Sequence, residues 1–295
     1  MIFRLIFIIF SSLAFDEMKA QMPTTNIIFF EYDFVDDSIV IKNKSILSSG
    51  HGYNNQPSFS SDCKKVYYTS NRSDSLNTDV FAYDIRKAKH SNITNTPLSE
   101  YSPTQDLSDQ HSIWFVRVES DKKQQLRKFD WRMSTIENKC MVSDSIGYFA
   151  LSDGSDLGLI ILNRGLEFHT FSDGDSKTKL IRTNTGRFID FDKSTNSYWF
   201  HGFSADGDHL YRYDRNTKAI VDSIPALQEC KDYGIDNNGH IFGGYHGELF
   251  RYISKSEMKW VKISDLKLLS GDFYRLSFCN CGKHFCVVTF EGKKP

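Results

Sequence analysis

From Gln56 to Ile85 the chain reads QPSFSSDCKKVYYTSNRSDSLNTDVFAYDI, short alternating runs of apolar and polar positions separated by turn-forming residues. Val66 to Ser70 and Asp79 to Asp84 have the period of two that a half-buried strand requires, because successive side chains point to opposite faces of a sheet. The polar run from Asn71 to Thr78 predicts a loop between them. Pro57 and Phe59 begin an earlier strand that ends at a turn of Ser61, Asp62, Cys63 and Lys64, and a fourth strand is predicted near His90 to Thr94. The unit is a four-stranded antiparallel meander.

The same unit recurs. Glu100, Ser102 and Pro103 stand where Gln56 and Pro57 stood, and DLSDQHSIWFVRVES replaces SFSSDCKKVYYTSNR. Starting points at Pro57, Pro103, Tyr148, Phe188, Tyr233 and Tyr274 recur roughly every 40 to 46 residues, the period at which one four-stranded sheet forms one blade of a propeller. The expected fold is therefore an all-β, six-bladed β-propeller. The sixth copy, from Phe273 to Phe290, supplies only two strands. The missing pair is predicted at the other end of the chain, where Asn26 to Leu47 has the form of an outer hairpin turning at Asp36 and Asp37. Closing the last blade with these strands protects edges that would otherwise template aggregation.

Composition adds 24 Phe and 14 Tyr among 295 residues, and 36 Lys and Arg against 37 Asp and Glu. The aromatic content suits strands, and the balanced charge gives no argument for nucleic acid. At the N-terminus, MIFRLIFIIFSSLAFDEMKAQ places a short apolar run, Leu5 to Phe10, after Arg4. It is too short to span a membrane comfortably and matches a secretory signal. Residues 1–20 are read as a signal peptide, with Ala14 and Ala20 as cleavage points, and residues 21–295 as the propeller. The expected location is periplasmic or secreted, with no transmembrane span once the signal is removed. No Cys follows the apolar run to carry a lipid.

Six cysteines, Cys63, Cys140, Cys230, Cys279, Cys281 and Cys286, permit disulfides without specifying them. Cys279, Cys281 and Cys286 lack CxxC spacing and a second pair, so neither a metal site nor a cofactor is expected. Clusters of Asp, Asn and Gly such as SDGSD, SDGDSK, DRNTK and DNNGH fall between predicted strands and read as turns rather than calcium loops. The His residues, including His201, His209, His240 and His246, read as strand-end residues rather than ligands. GFSADG at Gly202 fails the G-x-S-x-G pattern of serine hydrolases at its last position and suits a hairpin turn at Asp206 and Gly207. Asp190 and Asp192 share one face of an inner strand, compatible with a glycosidase pair or with polar channel-facing positions. Trp114, Trp131, Trp199 and Trp260, with Tyr67, Tyr211 and Tyr252, are expected to fill the wedges between blades rather than to stack on sugars. Sequons at Asn43, Asn71 and Asn92 are read as chance occurrences.

Pro57, Phe59, Ser60, Asp62, Lys64, Ser70, Arg72, Tyr83, Asp84, Ile93 and Thr94, followed by the second unit, carry a pattern that resembles the TolB-type (WD40-like) β-propeller repeat. Phe278, Gly282 and Lys283 fill its turn again in the last blade, while Cys63 replaces the turn glycine and Ser61 the second proline. The resemblance implies an exported six-bladed propeller that acts as a non-catalytic binding platform. Similar repeats also accompany a peptidase domain, for which this chain has too few residues left once blades and signal are subtracted.

In such a fold the innermost strands line the channel. The residues entering them are the candidate binding set: Gln56, Glu100, Arg187, Lys231, Asp232 and Arg275. Their mixed charge points to a protein or cell-envelope partner, with a channel-mouth enzyme such as a glycan lyase or hydrolase as the alternative.

Overall fold

In the computed structural model, the described residues are 22–290 apart from 37, 49–51, 72–75, 139–144, 153–155, 173–174, 254–257 and 268–271. The expected signal peptide, Asp37, Arg72 of the repeat motif and the turn residues Asp153 and Asp173 lie outside them. The chain opens with β1 (Thr25–Val35) and β2 (Ser38–Ile46). Blade 1 then contains β3 (Asn54–Phe59), β4 (Lys65–Ser70), β5 (Asp79–Asp84) and β6 (Lys89–Asn92). Blade 2 contains β7 (Ser99–Gln105), β8 (Ser112–Val118), β9 (Gln124–Asp130) and β10 (Thr135–Asn138). Blade 3 follows with β11 (Ser145–Leu151), β12 (Leu157–Leu162), β13 (Leu166–Phe171) and β14 (Lys179–Arg182). Blade 4 has β15 (Thr185–Asp192), β16 (Ser197–Ser204), β17 (Gly207–Asp214) and β18 (Ala219–Pro225). Blade 5 has β19 (Tyr233–Ile235), β20 (Ile241–Tyr245), β21 (Glu248–Ile253) and β22 (Lys259–Asp265). The last strands are β23 (Phe273–Phe278) and β24 (His284–Phe290).

These form six four-stranded antiparallel sheets, the sixth in the order β2-β1-β24-β23. Each innermost strand touches the next around the ring, and β23 touches β3, so the six-bladed propeller is closed. The hairpin from Asn26 to Leu47 completes the last blade, as its alternation predicts. Strand β1 pairs β24 from Thr25 opposite Phe290 to Glu31 opposite His284.

The alternation explains why this strand holds the ring. Ile28, Phe30 and Tyr32 face a core shared with Phe242 and Leu249 of blade 5, whereas Ile27 and Phe29 face Val66, Tyr68 and Phe81 of blade 1. Phe30 and Phe285 stack with ring centroids 4.8 Å apart, and both are fully buried. Burying one such side chain contributes about 1.5–3 kcal/mol, so β1 stabilises two seams at once.

A disulfide between Cys63 and Cys279, with Cα atoms 6.3 Å apart, crosses the seam between blades 1 and 6. Both cysteines lie in inner hairpin turns of the same design. The Cys63 amide donates to the Ser60 carbonyl in one turn, and the Gly282 amide to the Cys279 carbonyl in the other. Cys63 adopts φ +55° and Gly282 φ +67°, which explains why the repeat favours glycine there. Cys286 is buried on β24 within the seam core, away from any knuckle with Cys279 and Cys281.

The wedge-filling aromatics behave as their size dictates. Trp114, Trp199, Trp260, Tyr67, Tyr211, Tyr252 and Trp131 all belong to or pack against the hydrophobic clusters between sheets. The GFSADG segment is the β16–β17 hairpin, where the Ser204 hydroxyl donates to the Gly207 carbonyl at 2.8 Å. Asp214 and Asp236 accept backbone amides within their own turns, from Thr217 and from Asn238 and His240. Among the described residues, no helix is long and apolar enough to cross a membrane.

Candidate functional site

The innermost strands carry the site, and bulges shape it. Register slips occur at Asn55/Ser58, Tyr101/Thr104, Ile146/Tyr148, Thr185/Ile189 and Phe273/Arg275, at similar places in five blades. A bulge re-aims side chains that regular pairing would send elsewhere. In blades 1 and 2 the extra residue is left-handed, Gln56 at φ +54° and Ser102 at φ +54°, and each precedes a proline that has no amide to give to the ladder.

Between these strands lies a central cavity of about 310 Å³. One layer of it holds Gln56, Ser102, Tyr148, Arg187, Asp232 and Arg275, and it extends past Phe149, Phe188, Phe191 and Phe278 to the inner hairpin residues Leu107, Lys193, Asn237 and Asn280. Four of the six residues expected from the sequence therefore converge: Gln56, Arg187, Asp232 and Arg275. Lys231 is exposed to solvent and Glu100 is fully buried, and neither lines the cavity.

Arg275 Nε lies 2.7 Å from Asp232 Oδ2, and Arg187 Nε lies 3.9 Å from the same oxygen. Two guanidiniums thus share one carboxylate. Arg187 also donates to the Tyr274 carbonyl at 3.3 Å and stands over the Tyr274 ring, while Arg275 stands 6.0 Å from the Tyr148 ring centroid. Neither Nε makes a well-directed hydrogen bond. Gln56 is fixed from both sides, its Oε1 accepting from the Thr69 hydroxyl at 3.0 Å and from the Ser102 amide at 2.9 Å. Asn55 donates to the Tyr274 hydroxyl at 2.7 Å, tying blade 1 to blade 6 beside the cavity.

Asp190 adds a proton-exchanging group. Desolvation pushes its carboxyl up to about 7, with Asp232 and Asp192 adding repulsion and the Phe191 and Ile235 amides opposing it. Asp190 lines the cavity, whereas Asp192 accepts from the Ser194 amide, the Ser194 hydroxyl and the Thr195 hydroxyl in the β15–β16 turn. The two acids share a strand but not an environment, so Asp192 is a turn residue.

Glu100 is also pushed up to about 7, first by desolvation and then by Asp79, against hydrogen bonds from Thr96 and Thr94 and the charge of Arg117. Thr94 donates to it at 3.1 Å and Thr96 binds its other oxygen. This carboxyl joins blades 1 and 2 rather than lining the channel.

Tyr148, Ser102 and Asp190 belong to the cavity but not to the candidate set. The repeat itself carries the signal for the first two, since Ser102 occupies the column of Gln56, and Tyr148 directly follows the register slip of blade 3.

Two guanidiniums around one carboxylate, with neither Nε in a well-directed hydrogen bond, give a polar cradle suited to an acidic or strongly polar group. Among the described residues, no His or Cys lines the cavity, so no nucleophile there is paired with an imidazole.

No protein-family model matches the chain, and no curated protein matches its sequence. Solved structures show the fold. The chain is similar to TolB from Acinetobacter baumannii, with 12% identity and a TM-score of 0.59 over 90% of this chain, and it spans 63% of that chain's length. It is similar to a chain of a nidogen/laminin complex, with 9% identity and a TM-score of 0.64 over 86% of this chain and 97% of the other. A luciferin-regenerating enzyme is similar at 12% identity, with a TM-score of 0.54 over 81% of this chain and 92% of the other. These likenesses support the TolB-type propeller at the level of fold.

Proposed function

We propose that this chain is a non-catalytic binding module, exported from the cytoplasm, that seats a protein or cell-envelope component on the propeller and receives a polar or acidic group of it in the central channel. The observation that carries the reading is the convergence of Gln56, Arg187, Asp232 and Arg275 from four different blades on one cavity. Groups so distant in sequence meet only because the ring closes, and their surplus of guanidinium donors is a recognition feature. The short apolar N-terminal run and the Cys63–Cys279 disulfide both support export, since disulfides persist in oxidising compartments. A partner protein is also consistent with the nidogen/laminin complex among the fold's likenesses.

The test is capture from an envelope extract by the chain from residue 21 onward, against an Arg187→Gln/Arg275→Gln variant whose propeller fold is verified by circular dichroism. Capture by the parent and loss in the folded variant is expected. Equal capture by both would remove the channel from the reading, and capture by neither would remove the platform itself.

A second reading, a glycan lyase or hydrolase, is favoured by one observation: Asp190 is poised near neutral pH inside a channel with two arginines. It requires turnover of a polysaccharide that Asp190→Asn abolishes; a binding module shows none with either chain.

A further inference from the structure

The seam between blades 1 and 6 carries a second cluster that the channel does not use. Besides Cys63 and Cys279, the exposed Cys281 reaches into it, and the three sulfur atoms all lie within 4.8 Å of one another. Cys281 Sγ is also 3.5 Å from His284 Nδ1, at the start of β24. With the disulfide opened, three thiols from two facing turns, and the His284 imidazole beside Cys281, offer the donor types that structural zinc sites use.

One pair of these donors already has the spacing that the ion sets. With Zn–S about 2.3 Å and Zn–N about 2.0 Å, neighbouring donors on a tetrahedron lie about 3.5 Å apart for S and N and about 3.8 Å apart for two sulfurs. The Cys281–His284 separation already has the first value. Cys279 is buried and Cys63 half-buried, while Cys281 stands at the surface, giving an ion a route in.

We propose that, once the Cys63–Cys279 disulfide is reduced, Cys63, Cys279, Cys281 and His284 bind one divalent zinc ion, which then clasps the seam in place of the disulfide. The two states exclude each other because Cys63 and Cys279 cannot serve both. With a phosphine as reductant, phosphorus is oxidised to the phosphine oxide, taking its oxygen from water, and the disulfide sulfurs each leave as a thiol. Zinc then displaces the three thiol protons. The ring would thus be closed by side chains in both oxidising and reducing surroundings.

The experiment is anaerobic titration of the purified full-length chain with cobalt(II), before and after phosphine reduction, followed by competition with zinc. The reduced chain should bind one equivalent, with the visible bands of tetrahedral cobalt and a thiolate charge-transfer band, and zinc should bleach both. The oxidised chain should show neither. Cys281→Ser, at an exposed position outside the disulfide, should match the parent's thermal midpoint when oxidised, and both it and His284→Ala should weaken metal binding roughly tenfold or more when reduced. Absence of tetrahedral bands in the reduced parent, or unchanged affinity in either variant, would overturn the site. Neither result bears on capture through the channel.

Discussion

Two carboxyl groups on innermost strands are both pushed up to about 7 by burial, Glu100 at the seam of blades 1 and 2 and Asp190 in the channel. Their surroundings differ in kind. Glu100 is enclosed and met by Thr94 and Thr96, hydroxyls that come from the loop joining the two blades. Asp190 faces a cavity shared with Arg187, Asp232 and Arg275. A shifted carboxyl is therefore no mark of a functional site by itself; what separates the two is whether other blades aim unsatisfied groups at the same space.

The largest expected effect lies on the channel side. Asp232→Ala leaves Arg275, only 12% exposed in its side chain, without its carboxylate. Removing one partner of a buried pair costs about 4 kcal/mol, and urea unfolding of the variant should show a loss of that order. Replacing Asp232 and both arginines together by Asn, Met and Met should recover much of it. If the single variant is as stable as the parent, the three groups are solvated and the cradle is not preorganised.

Glu100 should respond to pH instead. Between the ordinary Glu value of 4.5 and about 7, the folded chain holds a proton that the unfolded chain releases, so stability falls as pH rises through this window. The cost is fully present above the window and amounts to about 3 kcal/mol. Glu100→Gln should therefore stabilise the chain by about that much at pH 8 and by little at pH 4, and partner capture should not change. A flat difference across pH would mean that Glu100 is not buried as a titrating group.

The contrast also explains what the sequence made legible. Strands and blade count follow from period-two alternation and Asp/Asn turns, which are local, and the closing hairpin follows from counting strands. Site residues depend on bulges, which alternation does not reveal. Glu100 stands shortly before Pro103, yet Ser102 is the residue that matches Gln56 in conformation, and Glu100 falls in the column of the buried Asn54. Lys231 and Asp232 are neighbours at the entry to β19, but only Asp232 lines the cavity. The Cys63–Cys279 link spans 216 residues and exists only because the ring closes, so spacing alone could not suggest it.

Asp190 is partly exposed where it faces the channel, whereas Glu100 is enclosed, so solvent screening should leave Asp190 the smaller pH effect of the two. Its protonated form is retained by the folded chain between the ordinary 3.8 and about 7, so Asp190→Asn should stabilise the chain above neutral pH by about 2 kcal/mol after that screening. The sharper measurement is binding. Capture by the parent should vary with pH around 7 and capture by Asp190→Asn should not, whereas the Glu100→Gln variant keeps the parent's profile. Identical profiles for the two variants would erase the distinction between seam and channel.

The smallest effect separates two residues of equal backbone conformation. Gln56 and Ser102 both sit near φ +54°, a region that costs a non-glycine residue about 1 kcal/mol. Gln56→Gly relieves that strain but removes the acceptor of two hydrogen bonds, each about 1 kcal/mol, so the chain should lose about 1 kcal/mol. Ser102 has no such compensation, since its hydroxyl is buried and makes no hydrogen bond with the described residues. Ser102→Gly removes both the strain and the orphaned hydroxyl and should stabilise the chain by about 1 kcal/mol in thermal unfolding. If that variant gains stability and loses capture, the Ser102 hydroxyl belongs to the partner; if it gains stability and keeps capture, the channel binds through its arginines alone.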